Sequence, residues 1–215
     1  MNTLGTKKDY LIVSLIGLFF GIFLLPVLSN VQLPFVALNT AWMAGIIIGF
    51  VLFALIALYV AFIIGWWVPF AVQFAKFSAV GGLNTMVDIG VLSAFVAFSG
   101  IAAGVPYAIF KGISFIFAVV NSYFFNRHWV FGTRNELSAK EFSQFLTVSI
   151  VGLLVSISFS SLLVNAVGPV GGLTEKQWAT ASAFVAVILV LIVNFTGYKF
   201  FVFADKAVPG EKSRV

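Results

Sequence analysis

The sequence predicts an all-α integral membrane protein with six transmembrane helices. Three observations carry this. Of the 215 residues, 61% are hydrophobic and 9% are charged, with a mean hydropathy of +1.12, whereas a soluble domain carries about 25% charged residues. From Tyr10 to Ala75 there is no Asp, Glu, Lys or Arg, a run that only a bilayer makes comfortable. The apolar runs are long and continuous, which disfavours the short alternating strands of a β-barrel.

Spanning needs about 20 apolar residues per helix, and six spans fit, at roughly 11–29, 41–66, 74–98, 105–126, 144–166 and 179–201. Lys7 and Lys8 precede the first run in the manner of a signal peptide. That run, Leu11 to Leu28, exceeds a signal h-region and no clear small-residue cleavage site comes after it, so it reads as an uncleaved helix. The second span is long enough to tilt. Breaks fall at SNVQLP, at Trp66-Trp67-Val68-Pro69, at SGIAAGVP, at GTRNELSAKE and at GPVGGLTEKQ, where turn residues gather. Gly17-xxx-Gly21 and Gly45-xxx-Gly49 mark the first two helices. They fit a close approach of the two backbones, or simply the general frequency of glycine in membrane helices.

Charge sets the expected orientation. Lys7, Lys8, Lys76, Arg127, Arg134, Lys140, Lys199, Lys206, Lys212 and Arg214 fall on one side of this topology. Lys176 falls on the other, and Lys111 lies within a helix. Positive residues favour the cytoplasm, which places both termini there, in a multi-pass protein of the cytoplasmic membrane.

The chain also repeats. Phe74-Ala-Lys-Phe77-Ser-Ala-Val80 aligns with Phe142-Ser-Gln-Phe145-Leu-Thr-Val148. Val120-Asn121 followed by Arg127-His-Trp-Val130-Phe131 aligns, with one gap, with Val193-Asn194 followed by Lys199-Phe-Phe-Val202-Phe203. Each copy is a helical hairpin. An even number of helices makes the copies parallel repeats, and helices one and two form an additional N-terminal hairpin.

Asp88 and Lys111 lie inside apolar helices, where a charge costs on the order of 3 kcal/mol. They sit about 13 residues before and about 10 after the middle of the turn, a depth difference of roughly 5 Å that a Lys stem bridges. The second copy has Ser156 and Phe184 at the matching positions, so both charges are absent together, as an ion pair predicts. Gly81, Asn84, Thr85 and Asp88 on one helix, and Lys111, Ser114, Ala118, Asn121 and Ser122 on the next, follow helical spacing. Two readings stand: a polar path for a ligand, or a structural ion pair with interhelical hydrogen bonds. Arg127, flanked by Asn126 and His128, has the planar fork suited to phosphate. Arg127 and Lys199 beside aromatics also read as interface anchors.

Other chemistry has no footing. There is no cysteine and a single histidine, His128, so thiolate and histidine metal sites and disulfides are not expected. Gly81-Gly82 and Gly171-Gly172 lack the strand-to-helix context and downstream Lys of a phosphate loop. Asp88 is the one deep carboxylate, so paired-carboxylate catalysis is unavailable. The reading is of a non-enzyme without cofactor, metal or nucleic-acid partner.

QFAKFSAVGGLNTMVDIGVL at 73–92 and VVNSYFFNRHWVF at 119–131 resemble the GtrA-like family of small membrane proteins. The family pattern falls on Phe77, Val80, Gly81, Thr85, Asp88, Asn121, Asn126, Arg127, Trp129 and Phe131, and in the second half on Phe145, Val148, Asn194, Lys199 and Phe203. The resemblance covers about residues 72–205. It divides the chain into an additional hairpin (1–71), a GtrA-like four-helix domain (72–205) and a cytoplasmic tail (206–215).

The resemblance implies translocation of a polyprenyl-phosphate-linked sugar across the membrane for cell-surface polysaccharide synthesis, beside a partner glycosyltransferase. On that reading Arg127, helped by Lys76 or Lys199, receives the phosphate. Asn126, Asn121, Asn84, Ser114, Lys111 and Asp88 line the way, with Asn194 and Lys199 as second-copy equivalents. The polyprenyl tail stays in membrane lipid. Six helices are few for a closed passage, so a groove open to lipid or a homo-oligomer is expected. The alternative is a non-transporting anchor or scaffold for the glycosyltransferase, and after it a transporter of an unrelated solute.

Overall fold

The computed structural model describes residues 4–31, 39–133 and 136–204. Of the expected turns and tail, residues 32–38, 134–135 and 206–215 lie outside that range. Among the described residues six long helices run in chain order: α1 Lys7–Val31, α2 Thr40–Ile64, α3 Phe70–Ser99, α4 Gly104–Phe125, α5 Ala139–Leu162 and α6 Glu175–Gly197. All six are long and apolar enough to cross a membrane. No strand occurs among the described residues. The all-helical, six-span expectation holds.

Local chemistry explains the boundaries. Thr6 and Asp9 form a reciprocal capping box at the start of α1. The Asp9 amide donates to Thr6 Oγ1 (3.2 Å), and the Thr6 amide donates to Asp9 Oδ2 (3.0 Å). Asn39 caps α2 by accepting from the Trp42 amide at 3.0 Å. Pro69 precedes the first turn of α3, where a missing N–H costs nothing. Gly100 ends α3 with φ +70°, the left-handed conformation that glycine adopts without penalty. Ser138 caps α5 by accepting from the Glu141 amide at 3.1 Å. α1, α5 and α6 begin at 7, 139 and 175, four or five residues before the apolar spans expected for them. Their first turns are polar, and those of α1 and α5 are set by side-chain caps rather than by hydropathy.

Three helices end in a π-helical turn: α4 at Asn126–Val130, α5 at Leu163–Val167 and α6 at Tyr198–Val202. The turns after α4 and α6 fall at equivalent positions of the two repeats. They close alike, with the Phe131 amide donating to the Asn126 carbonyl and the Phe203 amide to the Tyr198 carbonyl, both at 2.9 Å. The repeat is thus present in backbone geometry as well as in letters. Its aligned apolar residues are buried in both copies: Phe77 and Val80 in α3, Phe145 and Val148 in α5.

The chain forms two compact units divided at residues 132 and 133. In the first, α1 packs against both α2 and α3, and α3 against α4. Its core includes Val13, Ile16, Leu58, Phe77, Val80, Leu83 and Ala118. In the second, α5 and α6 pair. Phe145 stacks on Tyr198 with centroids 4.4 Å apart, and the Ser149 and Tyr198 hydroxyls lie 2.6 Å apart.

Two glycines of α1 bring it against α2. A Cβ on Gly17 would sit 2.7 Å from Phe50 O and Val51 Cα, and one on Gly21 would sit 2.8 Å from Ile47 Cα. Gly45 and Gly49 meet nothing within 4 Å. The expected close approach exists, but only α1 supplies it with glycine. α2 presents Ile47, Phe50 and Val51, and Gly49 is turned about 200° from Ile47 and Val51 on the helix. Gly17→Leu is therefore expected to lower thermal stability in lipid nanodiscs by about 1–3 kcal/mol or more, the cost of overpacking against a backbone that cannot rotate away. Gly49→Leu is expected to leave it unchanged. Equal responses from the two variants would place the seam elsewhere.

Candidate functional site

The intramembrane charges anticipated in α3 and α4 meet. Lys111 Nζ lies 2.5 Å from Asp88 Oδ2. The Ser114 hydroxyl lies 2.7 Å from Asp88 Oδ1 and 3.0 Å from the Lys111 carbonyl. Asp88 therefore takes a charged partner on one oxygen and a hydroxyl on the other. The antiparallel hairpin explains the meeting, because it puts the second half of α3 beside the first half of α4. Ser114 is fully buried, yet the Lys111 side chain is 46% exposed and that of Asp88 22% exposed. The pair is anchored on the inside and opens sideways.

Toward the end of α4 the polar stripe continues through buried Ser114, Ala118, Ser122 and Asn126. The Asn126 amide nitrogen donates to the Ser122 carbonyl (2.8 Å) and hydroxyl (3.2 Å). Asn84 Oδ1, Asn121 Nδ2 and Asn126 Oδ1 are buried atoms with hydrogen-bonding capacity that the protein leaves unused. In an apolar surrounding such an atom costs a few kcal/mol. Thr85 is turned aside, donating back to the Gly81 carbonyl at 3.1 Å.

The expected cationic end is built differently from an open receptor. Arg127 is 2% exposed and engaged by the protein itself. Exposed His128 lies against Phe124, the ring centroids 6.1 Å apart. Lys76 is claimed by a residue that sequence reasoning passed over. Its Nζ lies 2.5 Å from Asp9 Oδ1, and the Trp129 indole N–H donates to the same oxygen at 2.9 Å. Thr6 donates to Asp9 Oδ2 through both its amide (3.0 Å) and its hydroxyl (2.8 Å). Lys76 also lies 5.5 Å from the Trp129 ring and 5.9 Å from the Phe62 ring, within cation–π range. The signal for Asp9 was in the sequence: Asp9 and Lys76 flank the charge-free run, and a hairpin that goes out and returns brings its two flanks to one end.

In the second unit the equivalent positions carry no charge pair. Asn194 packs against Gly152, where a Cβ would clash with its side-chain amide, and its Oδ1 makes no hydrogen bond. Lys199 Nζ lies 5.5 Å from the Phe195 ring and 5.8 Å from the Phe200 ring. The structure thus brings Asp88, Lys111 and Ser114 into one cluster, continues it with Asn121 and Asn126 along α4, and places Asn194 and Lys199 in a separate unit. Among the described residues, no group of three His, Cys, Asp or Glu side chains converges to hold a metal.

Residues 76–203 match the GtrA/DPMS transmembrane domain. An uncharacterized membrane protein of Bacillus subtilis (strain 168), YngA, is 29% identical over 130 residues, which is 60% of this chain and 78% of that protein. No solved structure matches the chain. The match spans both hairpin repeats, the intramembrane pair and the Asn-Arg-x-Trp end of α4, and the chain belongs to the family of membrane proteins built on the GtrA/DPMS transmembrane domain.

Proposed function

We propose that the protein translocates a polyprenyl-phosphate-linked sugar across the cytoplasmic membrane, with both termini in the cytoplasm and a glycosyltransferase as its partner. The single observation that carries this reading is the Asp88–Lys111–Ser114 cluster. It is an ion pair fixed on one side by a buried serine and open on the other. A purely structural pair gains nothing from exposing its ammonium, and intramembrane charges mark substrate paths. Asn84 and Asn121 extend the cluster with an unused acceptor and an unused donor, which suit the hydroxyls of a sugar. The phosphate passes Lys111 as a point charge, while the polyprenyl chain stays in lipid.

Arg127 enters this cycle only when the end of α4 opens. That end is a π-helical turn, a feature that often accompanies functional sites because it can change register at low cost. On this reading Asn126 and Arg127 receive the phosphate in the opened state and are sealed in the described one. Asn194 and Lys199 take the equivalent place in the second copy.

The test is reconstitution in liposomes with a labelled polyprenyl-phosphate sugar. Faster exchange between leaflets, abolished by Lys111→Met, is the expected result. No acceleration by correctly folded protein would leave the anchor reading, in which the same helices recruit a glycosyltransferase without moving its substrate.

A further inference from the structure

The N-terminal hairpin builds a second site. A cavity of about 360 Å³ lies between α1, α2 and α3, lined by Val13 and Phe20 of α1, Phe53 and Ala57 of α2, and Ala79 and Gly82 of α3. It is elongated along the helices: its lining runs from Val13 to Phe20 on α1 and from Ala75 to Gly82 on α3, about 10 Å at the rise of a helix. Ala75 adjoins Lys76, and Val13 follows Asp9 by one turn. None of Thr6, Asp9, Lys76 and Trp129 lines the cavity, but their cluster lies just beyond its Val13–Ala75 end, and the other end lies deep in the apolar spans. Phe53 and Ala57 are exposed, so the cavity opens toward the bilayer.

The cluster itself is an anion site. An ammonium and an indole N–H converge on one carboxylate oxygen, and a backbone amide and a hydroxyl converge on the other. The anion they hold is the chain's own Asp9, 6% exposed. Four donors at one end of a long apolar cavity match an amphiphile with an anionic head and a hydrocarbon chain lying along the bilayer normal. An apolar cavity stays dry, and one open to the bilayer suits a hydrocarbon chain.

We propose that this hairpin forms a seat for an anionic diacyl phospholipid, one acyl chain in the α1–α2–α3 cavity, with Asp9 holding the headgroup position until the lipid phosphate takes Lys76 and Trp129 from it. Bulk phospholipid is the occupant because the cavity faces the bilayer, where that lipid is the most concentrated ligand and occupancy follows concentration over Kd. The site belongs mainly to residues outside the family match at 76–203. It is independent of whether the Asp88–Lys111 cluster transports anything.

The test uses the full chain in nanodiscs of phosphatidylcholine doped with phosphatidylglycerol, with lipids retained on the protein counted by native mass spectrometry. Asp9→Asn is expected to raise phosphatidylglycerol retention about tenfold over phosphatidylcholine, and Lys76→Met to abolish that preference. Ala57→Phe changes an exposed position, leaves the Asp9–Lys76 pair in place and puts a ring into the mouth of the cavity. It is expected to remove retention of the lipid while the fold survives. Retention unchanged in Ala57→Phe would overturn the chain seat. Equal retention of phosphatidylcholine and phosphatidylglycerol in Asp9→Asn would overturn the anion site. Retention of added polyprenyl phosphate that phosphatidylglycerol cannot displace would overturn the choice of occupant.

Discussion

Lys111→Met is expected to destabilise the protein in nanodiscs by about 3 kcal/mol, the cost of leaving an unpaired carboxylate within a spanning helix. Asp88→Asn is expected to cost a similar amount by stranding the ammonium, reduced where the lysine stem carries it toward the interface. The double variant Asp88→Asn/Lys111→Met should recover most of that loss. It removes both charges, and the introduced amide oxygen can still accept from Ser114, whose hydroxyl reaches Asp88 Oδ1 at 2.7 Å in the native protein. The partial exposure of both side chains lowers these figures wherever water enters the groove. Transport should respond differently: all three variants should lose leaflet exchange by tenfold or more, because the ammonium that meets the phosphate is absent or misdirected in each. Stability restored with transport still lost separates a path from a brace. Transport restored along with stability in the double variant would reduce the pair to a structural role and sink the proposed path.

That pair was legible because intramembrane charge is rare and expensive, so two such residues on neighbouring helices predict each other. The six helices were legible for a related reason, since apolar length maps directly onto bilayer thickness. What escaped had local or geometric causes. Polar first turns, such as Ser138 to Glu141, are invisible to hydropathy and are found only through capping. A small-xxx-small motif fixes which residues share a face, not what that face meets, and so Gly45 and Gly49 promised a seam that Gly17 and Gly21 alone make.

Periodicity also breaks down at the end of α4. A π turn accommodates an extra residue, which rotates the residues beyond it by about 100° relative to an unbroken α-helix. Helical spacing therefore carries the polar stripe as far as Asn126 but cannot tell whether Arg127 points to lipid, water or protein. The flanking aromatics suggested an interface anchor, and the structure puts its guanidinium inside. Asp9 was within reach of topology, because the flanks of an out-and-back hairpin must meet. Counting basic residues to orient the helices passed it over, since the count ignores which acidic residue waits at the same end.

The two repeat endings contrast a buried cation with a half-buried one. Arg127→Met is expected to lower stability by about 1–3 kcal/mol, the cost of leaving buried groups without the partner that the guanidinium supplies. Lys199→Met is expected to cost about 0.5–1 kcal/mol, since it forfeits only contacts of an ammonium with the rings of Phe195 and Phe200. Arg127→Lys should fall between these values, because lysine keeps the charge but not the planar fork with its five donors. Thermal unfolding of the three variants in the same nanodiscs measures the order. The experiment also bears on the opened state of α4. If Arg127→Lys retains near-normal stability yet loses capture of polyprenyl phosphate, the fork acts on substrate when the π turn opens. If stability and capture fall together in proportion, Arg127 only holds the end of α4 in place. Equal losses for Arg127→Met and Lys199→Met would contradict the burial that distinguishes the two copies.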